Sequence, residues 1–247
     1  MSMENVVTAY SRAVRSLSQP AILWHLVWPT LVAVILWAAI GWSFWDRVAA
    51  ATTQTFTELP WLQWVISRWE AMAVMTEAAV TVFLWLLLLP LVYVTALLIV
   101  AIVALPMILE KVAERDYADV EKRQGGTISG SVVNALVASL VFGLGWIATL
   151  PLWLIPGMAL VLPVLLSAYL NQRAYSYDAL MEHADAGEMR AVVARERGAL
   201  YLLGVGAGLL SYVPVANLLA PAFSGLAFVH FCLEALRRHR AGGSRAR

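Results

Sequence analysis

Few residues in this sequence are equipped for covalent or acid–base chemistry, and those few stand apart. His25, His183, His230, His239 and the single cysteine, Cys232, show no metal-ligand spacing. Cys232 lies in an apolar run and reads as a small buried hydrophobe. His25 and His230 read as packed, hydrogen-bonded residues of apolar segments. His183 and Asp185 read as solvated residues of a polar loop. Gly204-x-Gly206-x-Gly208 follows no strand, so it is not a nucleotide loop. Small residues at that spacing let helices approach closely in lipid, and Ser139 and Gly143 read the same way. No nucleophile–base pair stands out. No enzyme chemistry, metal or cofactor is expected.

The chemistry that remains belongs to the backbone. Pro156 and Pro214 each lie in a long uncharged stretch, and proline favours the first position of a helix. A helix starting there leaves the N–H groups of Gly157, Met158 and Ala159, and of Val215, Ala216 and Asn217, unpaired. Such amides, at the positive end of the helix dipole, bind anions. They do so without an isolated charge, which is costly inside a bilayer. Asn217 adds an amide side chain, as a cap or as a pore contact. Gly157, Met158, Val215 and Asn217 are therefore candidate anion-binding positions. The alternative is that both tips are structural turns only.

The elements that must position these amides follow from the hydropathy. Of 247 residues, 61% are hydrophobic and only 13% charged, about half the charge of a soluble domain. One water-soluble core cannot hide that much apolar surface, so lipid is part of the solvent. Residues 26–45 meet the roughly 20-residue length of a spanning helix. Trp24, Trp28, Trp42 and Trp45 lie near its ends, where indoles favour headgroups. Residues 78–109 carry no formal charge and make a helix of about 48 Å, longer than a hydrocarbon core of about 30 Å. The solvated pattern of Glu110, Lys111, Glu114 and Arg115 continues it.

Two further uncharged blocks are broken by proline. In residues 124–172, Pro151, Pro156 and Pro163 interrupt the run, and the arm 157–170 is about 21 Å as a helix. In residues 198–233 the break is Pro214, and the arm 199–213 is about 22 Å. These arms are too short for two full spans each. The blocks therefore read as half-membrane helical hairpins whose tips must be buried in protein or line a cavity. The alternative is a six-span bundle of short, tilted helices in a thinned bilayer. Pro156 with Pro163 and Pro214 with Pro221 share one spacing, as in a repeat around a transport site. These four prolines mark the hairpin tips.

Charge sets the orientation. Of 17 Lys and Arg, only Arg47 and Arg68 lie between the first two blocks. By the positive-inside rule both termini and the other loops are cytoplasmic. The outward segment carries Leu59-Pro60-Trp61-Leu62-Gln63-Trp64-Val65-Ile66 and Trp69, a short interfacial helix. At the N-terminus Val6, Val7, Tyr10, Val14 and Leu17 recur at helical spacing, predicting an amphipathic helix on the membrane surface that Pro20 ends. Arg237-Arg238-His239-Arg240 reads as an orientation signal or a contact with anionic lipid, too short a cluster for nucleic acid. The expected architecture is a single all-α integral membrane domain over 1–247. It comprises an amphipathic helix at 3–19, two long transmembrane helices near 21–46 and 77–115, and hairpins near 131–171 and 198–236.

At this point the sequence resembles a known family, the CysZ sulfate permeases grouped with the etoposide-induced membrane proteins. Residues 20–29 are similar to the family's first long helix where it begins. Leu59-Pro60-Trp61-Leu62-Gln63-Trp64 is similar to its outward segment. Leu105-Pro106-Met107-Ile108-Leu109-Glu110-Lys111-Val112 resembles the exit from its second long helix. Leu154-Ile155-Pro156-Gly157 and Tyr212-Val213-Pro214-Val215-Ala216-Asn217-Leu218-Leu219-Ala220-Pro221 resemble its two hairpin tips. The resemblance implies two long helices plus two half-membrane hairpins. It also implies sulfate uptake across the bacterial inner membrane for cysteine synthesis. The chain departs from the family where a basic pair should open the first long helix. Ala21-Ile22-Leu23-Trp24 stands there, with His25 nearby as the substitute candidate. The aspartate-tyrosine-proline element after the first hairpin is reduced to Tyr175-Ser176-Tyr177-Asp178-Ala179. The expected function is a transporter or channel for sulfate or a related small anion. Its expected partners are membrane lipid and further copies of itself, since half-membrane hairpins enclose little. The alternative is a non-transporting membrane protein acting through partners or lipid.

Overall fold

In the computed structural model, residues 3–69 and 71–245 are described, and the side chains of 214–218 and 243–245 lie outside that description. The described residues form ten α-helices and no strand. Four helical stretches among them are long and apolar enough to cross a membrane: Pro20–Thr57, Ala71–Asp116, Ile128–Leu154 and Leu219–Gly242. The chain is an all-α, multi-pass membrane protein.

It divides into two compact units, Trp24–Ala104 and Met1–Leu23 with Leu105–Arg247. The first unit holds most of α2 (Pro20–Thr57), then α3 (Pro60–Arg68) and α4 (Ala71–Ile99). Pro60 stands in the first turn of α3, where its missing N–H is harmless. The short interfacial helix is thus present and packs on α4. Large side chains join α2 to α4. Trp37 Nε1 donates to Thr95 Oγ1 at 2.9 Å, and the rings of Trp45 and Trp85 lie 5.0 Å apart. Both long helices run beyond the lengths expected. After α4 the helix loosens into a π-helical turn, Val100–Ala104. Pro106 explains it: the residue has no N–H and its ring crowds the carbonyl four residues back, on Ile102.

The second unit holds α1 (Met3–Leu17), α5 (Leu105–Asp116), α6 (Ile128–Thr149), α7 (Met158–Leu180), α8 (Ala186–Arg195), α9 (Arg197–Leu210) and α10 (Pro214–Arg245). Its axis is α10, which packs against α1, α5, α7, α8 and α9. Leu226, Phe228, Phe231, Cys232, Leu233 and Leu236 are fully buried, as suits a helix apolar on every side. The apolar stretch of α6 is almost wholly exposed in the single chain, as expected of a helix facing lipid.

Glycine brings α7 and α9 together. A Cβ on Gly204 would strike the Ala168 carbonyl, and Gly208 faces Val164. This is the close approach expected of the Gly-x-Gly-x-Gly run. Gly206 instead receives the ring of Tyr10 from α1. Gly143 has open space around it and Ser139 is exposed, so these two do not serve helix approach within the chain. The N-terminal helix also departs from expectation. Its buried stripe is Val6, Ala9, Ala13 and Ser16, against α10 and α9, while Val7 and Val14 are exposed. Small residues fit against a crowded neighbouring helix, which leaves the larger apolar ones outward.

Candidate functional site

The two helix pairs exist. The first, α6–α7, closes through a 3₁₀ turn, Leu150–Leu154, and the second, α9–α10, through a short turn after Leu210. At about 1.5 Å per residue, α9 is about 21 Å long, the short arm expected. The other arm read as short runs on past the uncharged segment to Leu180, about 34 Å in all.

The proline pairs are not equivalent. Pro214 is the first residue of α10, as expected. Pro156 lies in the turn, and α7 begins two residues later at Met158. Gly157 is its N-cap, with φ of +86°, a conformation only glycine adopts without strain. Of the three amides proposed there, that of Met158 is already used. It donates to the Ile155 carbonyl at 3.1 Å. Pro163 and Pro221 sit inside α7 and α10. Val215 and Asn217 belong to the first turn of α10, and their side chains lie outside the described residues. Nor is the first tip buried in protein. Leu154, Ile155, Met158 and Leu160 are exposed, and at the second tip so are Tyr212 and Val213. His25 is half-buried on α2 and belongs to the other unit.

At the other end of the second unit, structure gathers charge that no motif announces. His230 is buried between two neighbours, its Nε2 3.0 Å from Ser16 Oγ and its Nδ1 3.1 Å from Tyr117 Oη. It is the packed histidine expected. Around it lies an open cavity of about 470 Å³, walled by arginines from three helices: Arg12 and Arg15 on α1, Arg115 on α5 and Arg237 on α10. Arg12 Nη1 donates to Glu234 at 3.1 Å and to Tyr117 Oη at 3.2 Å. Arg115 makes a two-toothed bond to Asp116, at 2.7 and 2.8 Å, and reaches Gln19. Arg237 pairs with Asp119 and lies over the Tyr117 ring, 5.0 Å from its centre. These residues are spread from position 12 to position 237, and no local spacing could have found them.

The basic tail and the polar loop also find partners. Arg240 Nε and Nη2 both donate to the Glu188 carboxylate at 2.9 Å, and Nη2 also reaches the His183 carbonyl at 2.6 Å. Arg123 Nη1 donates to the same carboxylate at 2.8 Å. Asp185 is the N-cap of α8, completing a capping box with Glu188. His183 is buried, and burial, reinforced by the nearby Lys122, pushes its pKa below the ordinary value. Neither loop residue is simply solvated, and Arg237 and Arg240 are tethered rather than free. Glu110 and Glu114, by contrast, are exposed on α5 beside Lys122, as expected.

Among the described residues no cluster of His, Cys, Asp and Glu suits a metal ion. None of the curated proteins matches the chain. The resemblance read from the motifs stands: residues 9–221 match the model of the sulfate transporter CysZ/etoposide-induced protein 2.4 family, and the chain belongs to that family.

Proposed function

We propose that the chain carries a small oxyanion of the sulfate class across the bacterial inner membrane, as a transporter or channel feeding sulfate assimilation. One observation supports it above the rest. In a chain of this family, two helix pairs each close on a tip without charged side chains, and each tip leads into a helix N-terminus. There the amides of Gly157 and Ala159, and of Val215 and Asn217, offer an anion partners without a buried charge. In this reading the tips stand at half depth in a single membrane domain. Pro156, Pro163, Pro214 and Pro221 shape them. The exposed apolar tip residues are covered by further copies of the chain, and both termini are cytoplasmic.

Uptake of radiolabelled sulfate into proteoliposomes tests it. Wild type should accumulate label, and Gly157→Leu or Asn217→Leu should lower flux with the elution profile preserved. Wild-type flux in both variants rejects the tips as the path. No flux in wild type favours the second reading, a non-transporting protein acting through partners or lipid. That reading draws on the stretch Ala21-Ile22-Leu23-Trp24 standing where the family's transporters carry a basic pair.

A further inference from the structure

The two long helices of the first unit are bridged at two levels by large side chains. Trp37 meets Thr95 and Trp45 meets Trp85, and a groove of about 780 Å³ runs between the helices there. Ala38, Gly41 and Trp45 line it from α2, and Trp85, Leu88 and Val92 from α4. Steps of three and four place each set on one helix face. Gly41 forms a floor, since a Cβ there would meet nothing within 4 Å. At one end of the groove stands Asp46. Residues 16–45 hold no Asp, Glu, Lys or Arg, so Asp46 marks where α2 leaves the hydrocarbon. It is exposed and makes no hydrogen bond or ion pair among the described residues.

The two ends of this groove call for different chemistry. Trp42, one turn from Asp46 and 93% exposed, joins Trp45 and Trp85 at the charged end. Indole faces carry the negative side of a quadrupole and attract ammonium groups, and the Asp46 carboxylate acts in the same sense. That end selects a cation. The rest selects hydrocarbon: from Asp46 to Val34 the groove is about 18 Å long, close to one leaflet's share of a core of about 30 Å.

We propose that this groove binds a phospholipid with an ammonium headgroup, phosphatidylethanolamine. The ammonium donates to Asp46 against the indole faces, and one acyl chain lies over Gly41. The site shares no residue with the hairpin tips, and its occupancy does not depend on transport.

The test is native mass spectrometry of the full chain in detergent, titrated with phosphatidylethanolamine or with phosphatidylglycerol of the same acyl chains, whose headgroup has no cation. Wild type should take up phosphatidylethanolamine saturably and about tenfold more tightly. Asp46→Asn should lose that preference, a weakening of about tenfold for one charge-assisted hydrogen bond, and should leave phosphatidylglycerol binding unchanged. Gly41→Phe fills the groove and should abolish the bound lipid with the elution profile preserved. Glu58→Gln removes a carboxylate outside the groove, where Gln54 bonds it, and should bind as wild type. Equal binding of the two lipids by wild type overturns the proposal. So does undiminished phosphatidylethanolamine binding in Asp46→Asn or Gly41→Phe, or an equal loss in Glu58→Gln. An oligomer lost in Gly41→Phe while lipid binding persists would seat a second copy in the groove and overturn it as well.

Discussion

Glu188→Ala should release α8 from α10 without unfolding the rest of the chain. The Glu188 side chain is 11% exposed and that of Arg240 is 19%, so both ends of the bond are largely out of water. The carboxylate accepts two hydrogen bonds from Arg240 and closes the capping box at the start of α8. Breaking a fully buried pair costs about 3–5 kcal/mol, and the remaining exposure lowers this. The lost box adds about 1 kcal/mol. We expect about 2–3 kcal/mol for the opening of α8, read as amide exchange roughly 30- to 150-fold faster at 1.36 kcal/mol per tenfold. A double-mutant cycle with Arg240→Met should give a coupling of about 1–2 kcal/mol. The hydrogen bonds from Arg240 hold the Glu188 carboxyl below its ordinary pKa, against the opposing effect of burial. Its contribution is therefore complete above the unfolded value of about 4.3 and is lost as pH falls through the lower folded value. Acid in that range should bring wild type towards the variant and leave the variant unmoved. Exchange within threefold of wild type, or a coupling below about 0.5 kcal/mol, would refute the tether.

Gly204→Val should separate α7 from α9, because its Cβ would strike the Ala168 carbonyl and lie 2.9 Å from Ala168 Cα. A loss of about 1–3 kcal/mol is expected in detergent unfolding, while Gly143→Val, with nothing within 4 Å, should change stability by less than about 0.5 kcal/mol. Cys232 is fully buried in α10, so maleimide should leave the folded chain unlabelled and modify it once unfolded; rapid labelling of the folded protein would show that α10 is not the packed axis.

The helix pairs were legible in the sequence because their causes are local. A long apolar run excludes water whatever it packs against, and a proline without an N–H is suited to the first turn of a helix, although Pro163 and Pro221 sit inside α7 and α10. Pro60 begins the interfacial helix, and Pro214 appears where expected, at a helix start. Pro156 does not, because Gly157 can adopt a positive φ that lets the chain turn once more before α7 begins. The N-terminal helix was legible as a helix but not by its buried face. The 3.6-residue period defines a stripe, and only the shape of α10 and α9 decides that Ala9, Ala13 and Ser16 fit where Val7 and Val14 do not.

The charged residues mark the limit. The sequence by itself determined the long apolar stretches and the all-helical architecture, since these follow from hydropathy and backbone chemistry over a few residues. It could not pair Arg240 with Glu188, 52 positions away, or Arg12 with Glu234, 222 positions away. An isolated arginine looks the same whether it ends in water, in an ion pair or on a cavity wall. Only the packing of helix faces settles which charges meet and which, like Arg15, are left over, because Coulomb attraction is felt over a few ångströms in space and not along the chain.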